Sequence, residues 1–340
     1  MTYYCTFVSG FADAVTEALR GDLPDARVIT VLDGGILFAC SAPPHRVAGL
    51  RFLTNTYLSL AVFRDLPKHN PLAAMARQVA AGRTGALNKL GSVVGGGAFR
   101  VVASDRNRPS SLPPSLIAGV ERSIASVTRG RTSRSGAEKE FWLLSRSEGI
   151  GLFLFRASRR RGTHKSLQRG QLHPEVAQLL CRMSAPSADD VFLDPFCGWG
   201  SIVIERVLSF PFRSVTAMDI DEAKLRELRA RLGPRGTKGV SIRRADATEL
   251  PDIEDRSVDA VVTDPPWGEY DGRDVGDLYR RFLGGLARIL RPGARVVLLL
   301  SRSPALLEVV VASGLRVDAS MDVLISGRKA TAVRLLAGRA

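Results

Sequence analysis

Cysteine and histidine are scarce: the 340 residues include four of each. Cys5, Cys40, Cys181 and Cys197 fall at no paired spacing, which excludes a zinc-finger pattern and a disulfide framework. His45, His69, His164 and His173 form no ligand pair, so no metal is expected. No apolar run approaches ~18 residues, so no membrane-crossing helix is expected. The start, Met1-Thr2-Tyr3-Tyr4, has no basic segment, and Asp13 interrupts the first apolar stretch, so no secretory signal is expected. A reducing cytoplasm is the expected location. Acidic residues are missing mainly from the first half. Residues 1–170 hold 24 Lys+Arg against 11 Asp+Glu, whereas residues 171–340 hold 24 against 23. Nearly all of the formal net charge of +14 therefore lies in the first half. A high-arginine composition alone would spread it evenly. The basic half suits a polyanionic partner, and the near-neutral half resembles an ordinary enzyme domain in charge.

What is present supports two or three domains, with 45% hydrophobic residues to build their cores. Residues 1–65 read as a small α+β module. Tyr3 to Val8 is a predicted strand, and Phe11 to Leu19 has helical spacing. Val28–Leu32 and Gly35–Cys40 flank Asp33-Gly34, a hairpin signal. Arg51 to Phe63 fits a helix or a strand. Residues 66–158 contain a strand over Ala98–Ala103, a helix over Leu116–Val127, and strands at Glu140–Leu144 and Gly151–Phe155. Basic residues cluster here: Phe99 to Arg169 holds 15 Lys+Arg against 5 acids. Arg129, Arg131 and Arg134 lie in a Gly/Ser-rich loop. Arg159, Arg160, Arg161 and Lys165 lie in a linker over 159–170. Such a strip can neutralise phosphates or can simply be solvated. Aromatic platforms are sparse, which favours recognition of backbone shape over base stacking.

The second half is regular. Leu172 leads into a helix with Pro174 in its first turn. Strands end at Asp194, Asp219, Asp246 and Asp264. Helices are predicted over Ile202–Leu208, Glu222–Leu232 and Val275–Leu290, a buried strand over Arg295–Leu300, and a closing antiparallel pair over Leu315–Ile325 and Ala330–Leu336. Strand, Gly198-x-Gly200 turn and helix make the first unit of a doubly wound sheet, whose ligands bind beyond the carboxyl ends of the strands. Any single acid there can be a helix N-cap or turn residue. Four strands ending in Asp at one edge call for more than stability. Position 203 is Val, so the third glycine of a dinucleotide fingerprint is absent. Asp264-Pro265-Pro266-Trp267 sets a carboxylate and fixed carbonyls beside an indole. This arrangement suits a planar base carrying an exocyclic amino group, although a proline turn with a buried Trp is the plainer alternative.

The stretches Asp194 to Gly200 (DPFCGWG) and Asp264 to Gly268 (DPPWG) together resemble motifs of S-adenosylmethionine-dependent amino-methyltransferases. Over roughly residues 160–340 the chain is similar to the THUMP-domain RNA (guanine-N2) methyltransferase family. The resemblance implies an α/β architecture: a Rossmann-like doubly wound methyltransferase domain (171–340), preceded by an N-terminal ferredoxin-like α+β module (1–65) and a THUMP-like α/β RNA-binding domain (66–158). It implies S-adenosyl-L-methionine held by Asp194, Phe196, Cys197, Gly198, Gly200, Asp219, Asp246 and Ala247. Asp194 would border the amino-acid end, Asp219 the ribose (Asp221 being the alternative) and Asp246 the adenine. Asp264, Pro265, Pro266 and Trp267 would be catalytic. Arg129, Arg131, Arg134, Arg159, Arg160, Arg161 and Lys165 would meet RNA, a tRNA first and an rRNA second. A monomer is expected. The family commonly has Tyr or Phe where Trp267 stands, and adenine amino-methyltransferases also use this tetrapeptide. An adenine or cytosine amino group in RNA or DNA is therefore the alternative target. A basic RNA-binding protein with a degenerate nucleotide fold is the non-enzyme alternative.

Overall fold

The computed structural model describes residues 1–82, 94–158, 167–233, 238–268 and 275–338. Two compact units emerge: Met1–Thr6 with Leu19–Arg161, and Phe7–Ala18 with Gly162–Ala340.

The first unit is built on β1 (Thr2–Thr6), β2 (Arg27–Leu32), β3 (Gly35–Ala39), β4 (Asn55–Phe63), β5 (Ala98–Asp105), β6 (Arg108–Ser110), β7 (Arg131–Thr132), β8 (Lys139–Ser145) and β9 (Gly151–Arg156). They form one sheet in the order β2-β3-β1-β4-β9-β8-β5-β6, with β7 beside β5. The hairpin expected at Asp33-Gly34 is present, with Leu32 paired to Gly35. The ambiguous stretch before Phe63 resolves as the strand β4, because it pairs on both edges, with β1 and with β9. That second pairing joins Tyr57 to Arg156, so one sheet runs through both expected modules, 1–65 and 66–158. Side chains reinforce the join. Buried Glu140 accepts from Arg156 at 3.1 Å and also pairs with Arg100, while Arg156 reaches Asn55 Oδ1 at 2.6 Å.

Between the expected elements lies an unexpected helix, α3 (Pro71–Ala80). It follows α1 (Ala12–Asp22) and α2 (Pro44–Ala48) and precedes α4 (Pro114–Thr128). Leu72, Met75, Ala76 and Val79 of α3 and Val120 and Ile124 of α4 share a core with Phe99, Phe141 and Phe153. Fully burying a Val, Leu or Phe contributes about 1.5–3 kcal/mol, so this face is what holds two short helices to the sheet.

The second unit carries β10 (Val191–Asp194), β11 (Ser214–Asp219), β12 (Val240–Arg244), β13 (Val258–Thr263), β14 (Leu290–Ser301), β15 (Arg316–Ile325) and β16 (Arg328–Leu336). Their order is β12-β11-β10-β13-β14-β16-β15. Pairing is parallel from β12 to β14, and β16 runs antiparallel to both β14 and β15. The helices are α5 (Pro174–Met183), α6 (Ser201–Ser209), α7 (Glu222–Leu232), α8 (Val275–Ile289) and α9 (Pro304–Ala312). Val296 to Leu300 are wholly buried, as an interior strand covered on both faces requires. Tyr279, Phe282, Leu283 and Leu286 on one face of α8 pack against this sheet. The strand ends expected at Asp194 and Asp219 and the helix over 222–232 agree with these bounds, while β12 stops at Arg244 and β13 at Thr263, short of Asp246 and Asp264. Residues 7–18, expected in the first module, group with this unit instead. A contact distant in sequence contributes: Leu324 N donates to Ser9 O at 3.2 Å.

At the amino end of β10 sits a buried charge cluster. Arg206 of α6 is fully buried and donates to Asp190 Oδ2 at 2.8 Å. Asp190 also accepts from Arg295 of β14 and from Ser187 N. The Arg206 guanidinium lies over the Phe192 ring, 5.2 Å from its centroid.

Candidate active site

The chain folds outward in both directions from β10, which pairs β11 on one side and β13 on the other. A ligand crevice forms where strand order reverses, outside the carboxyl ends. Asp194 and Asp264 stand at that place, one closing β10 and the other following β13.

Asp194 is fully buried. Thr263 Oγ1 donates to its Oδ1 at 2.7 Å and accepts from Phe196 N at 3.3 Å, so one hydroxyl bridges the two strand ends. Asp194 Oδ2 has no partner among the described residues. Burial pushes this carboxyl up to about 8 against the Thr263 hydrogen bond. A buried carboxyl with an open oxygen is costly unless a ligand supplies a donor or cation.

The turn after β10 is fixed by backbone groups. Cys197 N donates to Met218 O, and Gly198 N to Asp219 Oδ2, both at 2.8 Å. Gly198 has φ +51° with open space where a Cβ would stand, while a Cβ on Gly200 (φ +80°) would lie 2.2 Å from Leu228 Cδ1. Positive φ favours glycine at both positions, and packing forbids anything larger at the second. The open face beside Gly198 and the open oxygen of Asp194 fit a ligand with a cationic end.

Asp219 holds two backbone donors, Gly198 N and, through Oδ1, Asp221 N at 2.9 Å. Each carboxylate oxygen has a second lone pair, so the group can still accept from a diol. Asp221, the alternative, is instead the N-cap of α7, taking Ala223 N at 2.9 Å. Asp246 is exposed, and its Oδ1 accepts from Thr248 N and Thr248 Oγ1 at 2.8 Å each. Ala247 beside it is buried. Phe196 meets Phe282 edge-on at 5.0 Å. The buried Cys197 thiol is raised well above the usual range by burial.

On the other side of the crevice, Trp267 Nε1 is shared between Asp264 Oδ1 at 2.9 Å and Leu299 O at 3.2 Å. The indole edge is therefore fixed to the acid and to β14. Burial pushes Asp264 up to about 7, the Trp267 hydrogen bond opposing. Pro265 is buried and Pro266 exposed, with Pro266 O accepting from Tyr279 at 3.3 Å. A cavity of about 900 Å³ opens beside Trp267, walled by Leu283, Ser301, Ser303, Leu306 and Val309. Its size and mixed lining suit a nucleoside.

Thr263 and Tyr279 escaped the sequence reading. Thr263 is the polar last residue of an apolar strand, a signal at the right edge. Tyr279 lies on the apolar face of its helix, and only its hydroxyl reveals the tie to Pro266. In the first unit, Arg129, Arg131 and Arg134 are all exposed, Arg129 closing α4 at φ +55° and Arg131 lying in β7. Arg159, Arg160, Arg161 and Lys165 lie outside the described residues. Among the described residues no group of three or more His, Cys, Asp or Glu could hold a metal.

The fold resembles the crystal structure of TrmN from Thermus thermophilus, with a TM-score of 0.78 and 26% identity over 99% of each chain. Two curated relatives match part of the chain. The tRNA (guanine(6)-N2)-methyltransferase of Thermus thermophilus is 39% identical over 147 residues, 42% of this chain and 43% of that one. The tRNA (guanine(10)-N2)-dimethyltransferase of Methanothermobacter thermautotrophicus is 35% identical over 130 residues, 37% of this chain and 38% of that one. The matches thus span about two fifths of these relatives' length. The UPF0020 family model, RMKL-like, methyltransferase domain, covers residues 161–331, half of the chain, and the chain belongs to that family.

Proposed function

We propose that this protein transfers a methyl group from S-adenosyl-L-methionine to the exocyclic 2-amino group of a guanosine in tRNA. The observation that carries this is the pairing, at one switch point, of an open buried carboxyl (Asp194) with an acid locked to an indole (Asp264 and Trp267). The cofactor when bound supplies an electrophilic methyl on a sulfonium. Asp194 would hold its ammonium, the Gly198–Gly200 backbone its methionine part, Asp219 its ribose hydroxyls, and the Asp246-Ala247 turn its adenine.

The chain's own task is to make the amino nitrogen nucleophilic and remove its proton. An exocyclic amino lone pair is delocalised into the base. Accepting its N–H hydrogens at Asp264 and the Pro265 carbonyl favours a pyramidal nitrogen, and positioning supplies the rest. Asp264, held near neutrality, can take the surplus proton. Trp267 and the cavity beside it give a flipped base a surface and room. The two tRNA methyltransferases matched above support guanine and tRNA. The exposed Arg129, Arg131 and Arg134, with the basic run 159–165, support phosphate contacts in the first half. All four cysteines are buried and free, which suits a reducing compartment, and the cytoplasm is the location we propose. Among the described residues no helix is long and apolar enough to cross a membrane.

Incubation with tRNA and S-adenosylmethionine, followed by nucleoside mass spectrometry, should give N2-methylguanosine. N6-methyladenosine or a methylated cytosine instead would move the target to the alternative base. Asp219→Ala should weaken S-adenosylhomocysteine binding in calorimetry by about 1.5–3 kcal/mol, the cost of a lost charged acceptor. An unchanged affinity would remove Asp219 from the cofactor site. RNA affinity should fall with salt at a log–log slope of about −0.7 to −0.9 per phosphate neutralised. Converting Arg129, Arg131 and Arg134 together to Ala should flatten that slope by about two to three. A slope unaltered by the triple change would place the phosphate contacts elsewhere.

A further inference from the structure

Three carboxyls mark the carboxyl ends of neighbouring strands: Asp194 closes β10, Asp219 closes β11 and Asp264 follows β13. Asp194 is wholly buried, and the other two are half-buried. Among the described residues no Lys, Arg or His pairs with Asp194. Its remaining titratable neighbours are two thiols, Cys181 of α5 and Cys197 of the turn after β10. The nearest cations act on those thiols, Arg206 on Cys181 and Lys224 on Cys197, and Glu205 adds a further negative charge beside Cys181. Like charges crowded without a cation keep one group protonated, and the wholly buried one is the costliest to ionise. Burial raises Asp194 to about 8, the Thr263 and Phe196 hydrogen bonds oppose it, and the charges of Asp219 and Asp264 add to the rise. Thr263 decides where the proton sits. Its hydroxyl hydrogen goes to Asp194 Oδ1 at 2.7 Å, and its oxygen already accepts from Phe196 N at 3.3 Å. Oδ1 is thus held as an acceptor, and the acid's own proton belongs on Oδ2, which has no partner among the described residues.

We infer that Asp194 gives up the proton on Oδ2 when S-adenosyl-L-methionine binds and pairs instead with the cofactor's ammonium, Thr263 being the positioning residue that reserves this oxygen for the exchange. This rests on the cofactor site proposed above. The proton passes to solvent, and the buried carboxylate gains the cation it lacks in the empty protein. Affinity for a ligand with an ammonium end then rises with pH, because the empty site must lose its proton to pair. It levels off once the empty site is already ionised. Between about pH 6 and 7 the rise should approach tenfold per pH unit, as one proton exchanged per ligand requires.

The test is calorimetry of the full-length protein at pH 7 in phosphate and in Tris, two buffers whose ionisation enthalpies differ widely. With S-adenosylhomocysteine the wild type should release about one proton per ligand bound. With 5′-methylthioadenosine, which keeps the nucleoside and lacks the ammonium, release should be negligible. Asp194→Asn keeps an oxygen for the Thr263 hydroxyl and should bind S-adenosylhomocysteine more weakly, with no proton release and no pH slope. Its affinity for 5′-methylthioadenosine should stay near that of the wild type, which reports an intact fold. Thr263→Val should weaken S-adenosylhomocysteine by about fivefold, the ratio an ordinary lost hydrogen bond gives, and Thr263→Ser should restore it. Equal binding enthalpies in the two buffers for the wild type, or equal proton release with both ligands, would overturn the inference. Wild-type affinity in Thr263→Val would overturn the part given to Thr263. Wild-type protein that binds neither ligand would overturn the methyltransferase assignment beneath it.

Discussion

Asp264→Ala should lose methyl transfer by at least about 10²–10⁴-fold, the range a positioned acid or base contributes, while S-adenosylhomocysteine binding stays within about twofold of wild type. The separation follows from the site's two sides. The cofactor contacts proposed for Asp194, Gly198 and Asp219 lie at the ends of β10 and β11 and in the turn after β10, whereas Asp264 follows β13 and touches Trp267. Asp264→Asn keeps an oxygen for Trp267 Nε1 and removes the charge, so it should retain the fold and lose proton uptake. Wild-type turnover should rise with pH through about 7 and level off above it, because burial raises this carboxyl and the ionised form is the acceptor. The stability effect has the opposite direction. Asp264's folded pKa of about 7 exceeds its reference value of 3.8. Its contribution is therefore fully present below about pH 4 and lost as pH climbs through about 7. Asp264→Ala should remove that decline, and at pH 8 the variant should be no less stable than wild type. Near-normal turnover in single-turnover assays of Asp264→Ala would rule out this acid as the reacting group's partner.

Asp190→Ala should be the most damaging change away from the crevice. Arg206 has no exposed side-chain surface, and Asp190 is 2% exposed. Burial lowers the arginine's pKa and Asp190 opposes the shift. Removing the acid leaves a buried cation whose remaining contacts are the Ser187 carbonyl and the face of Phe192. Breaking such a pair costs about 3–5 kcal/mol, which urea unfolding of the C-terminal unit should report as a lower midpoint with little change in slope. The double change Asp190→Leu with Arg206→Met should lose less than Asp190→Ala, since it strands no fully buried charge; Arg295, partly exposed, keeps the Ala185 and Asp259 carbonyls. A loss under about 1 kcal/mol for Asp190→Ala would mean that water reaches Arg206.

The second half of the chain was legible because its physics is local. β10, β13 and the second half of β14 are largely apolar runs of Val, Leu, Phe and Ala ending at an acid or a hydroxyl residue. A parallel sheet buried on both faces leaves few other places for such runs. Glycine spacing and Asp-Pro-Pro-Trp mark the residues that follow β10 and β13 at the carboxyl edge of the sheet. The first half was less legible. β4 alternates too loosely to separate strand from helix, and only pairing with both β1 and β9 decides it. Helix α3 was missed although Pro71 opens it and Ala-rich residues follow, a signal outweighed by its small side chains. The grouping of residues 7–18 with the second unit, the role of Thr263 between Asp194 and Phe196, and the hydroxyl of Tyr279 depend on contacts distant in sequence. No window of neighbours encodes them.

Trp267 has a consequence for how this protein can change over generations. Its single N–H serves two acceptors, Asp264 Oδ1 and Leu299 O. A phenylalanine there would keep a flat ring but leave both acceptors without that donor. A tyrosine would move its donor to the ring's far tip. Position 267 is therefore not free to drift among aromatic residues, as a surface for stacking alone would be. A lineage moving from tryptophan to the smaller rings passes through a protein whose Asp264 has lost its tether, unless another donor has already arisen near Leu299. Aromatic identity here is inherited together with the acid three residues before it.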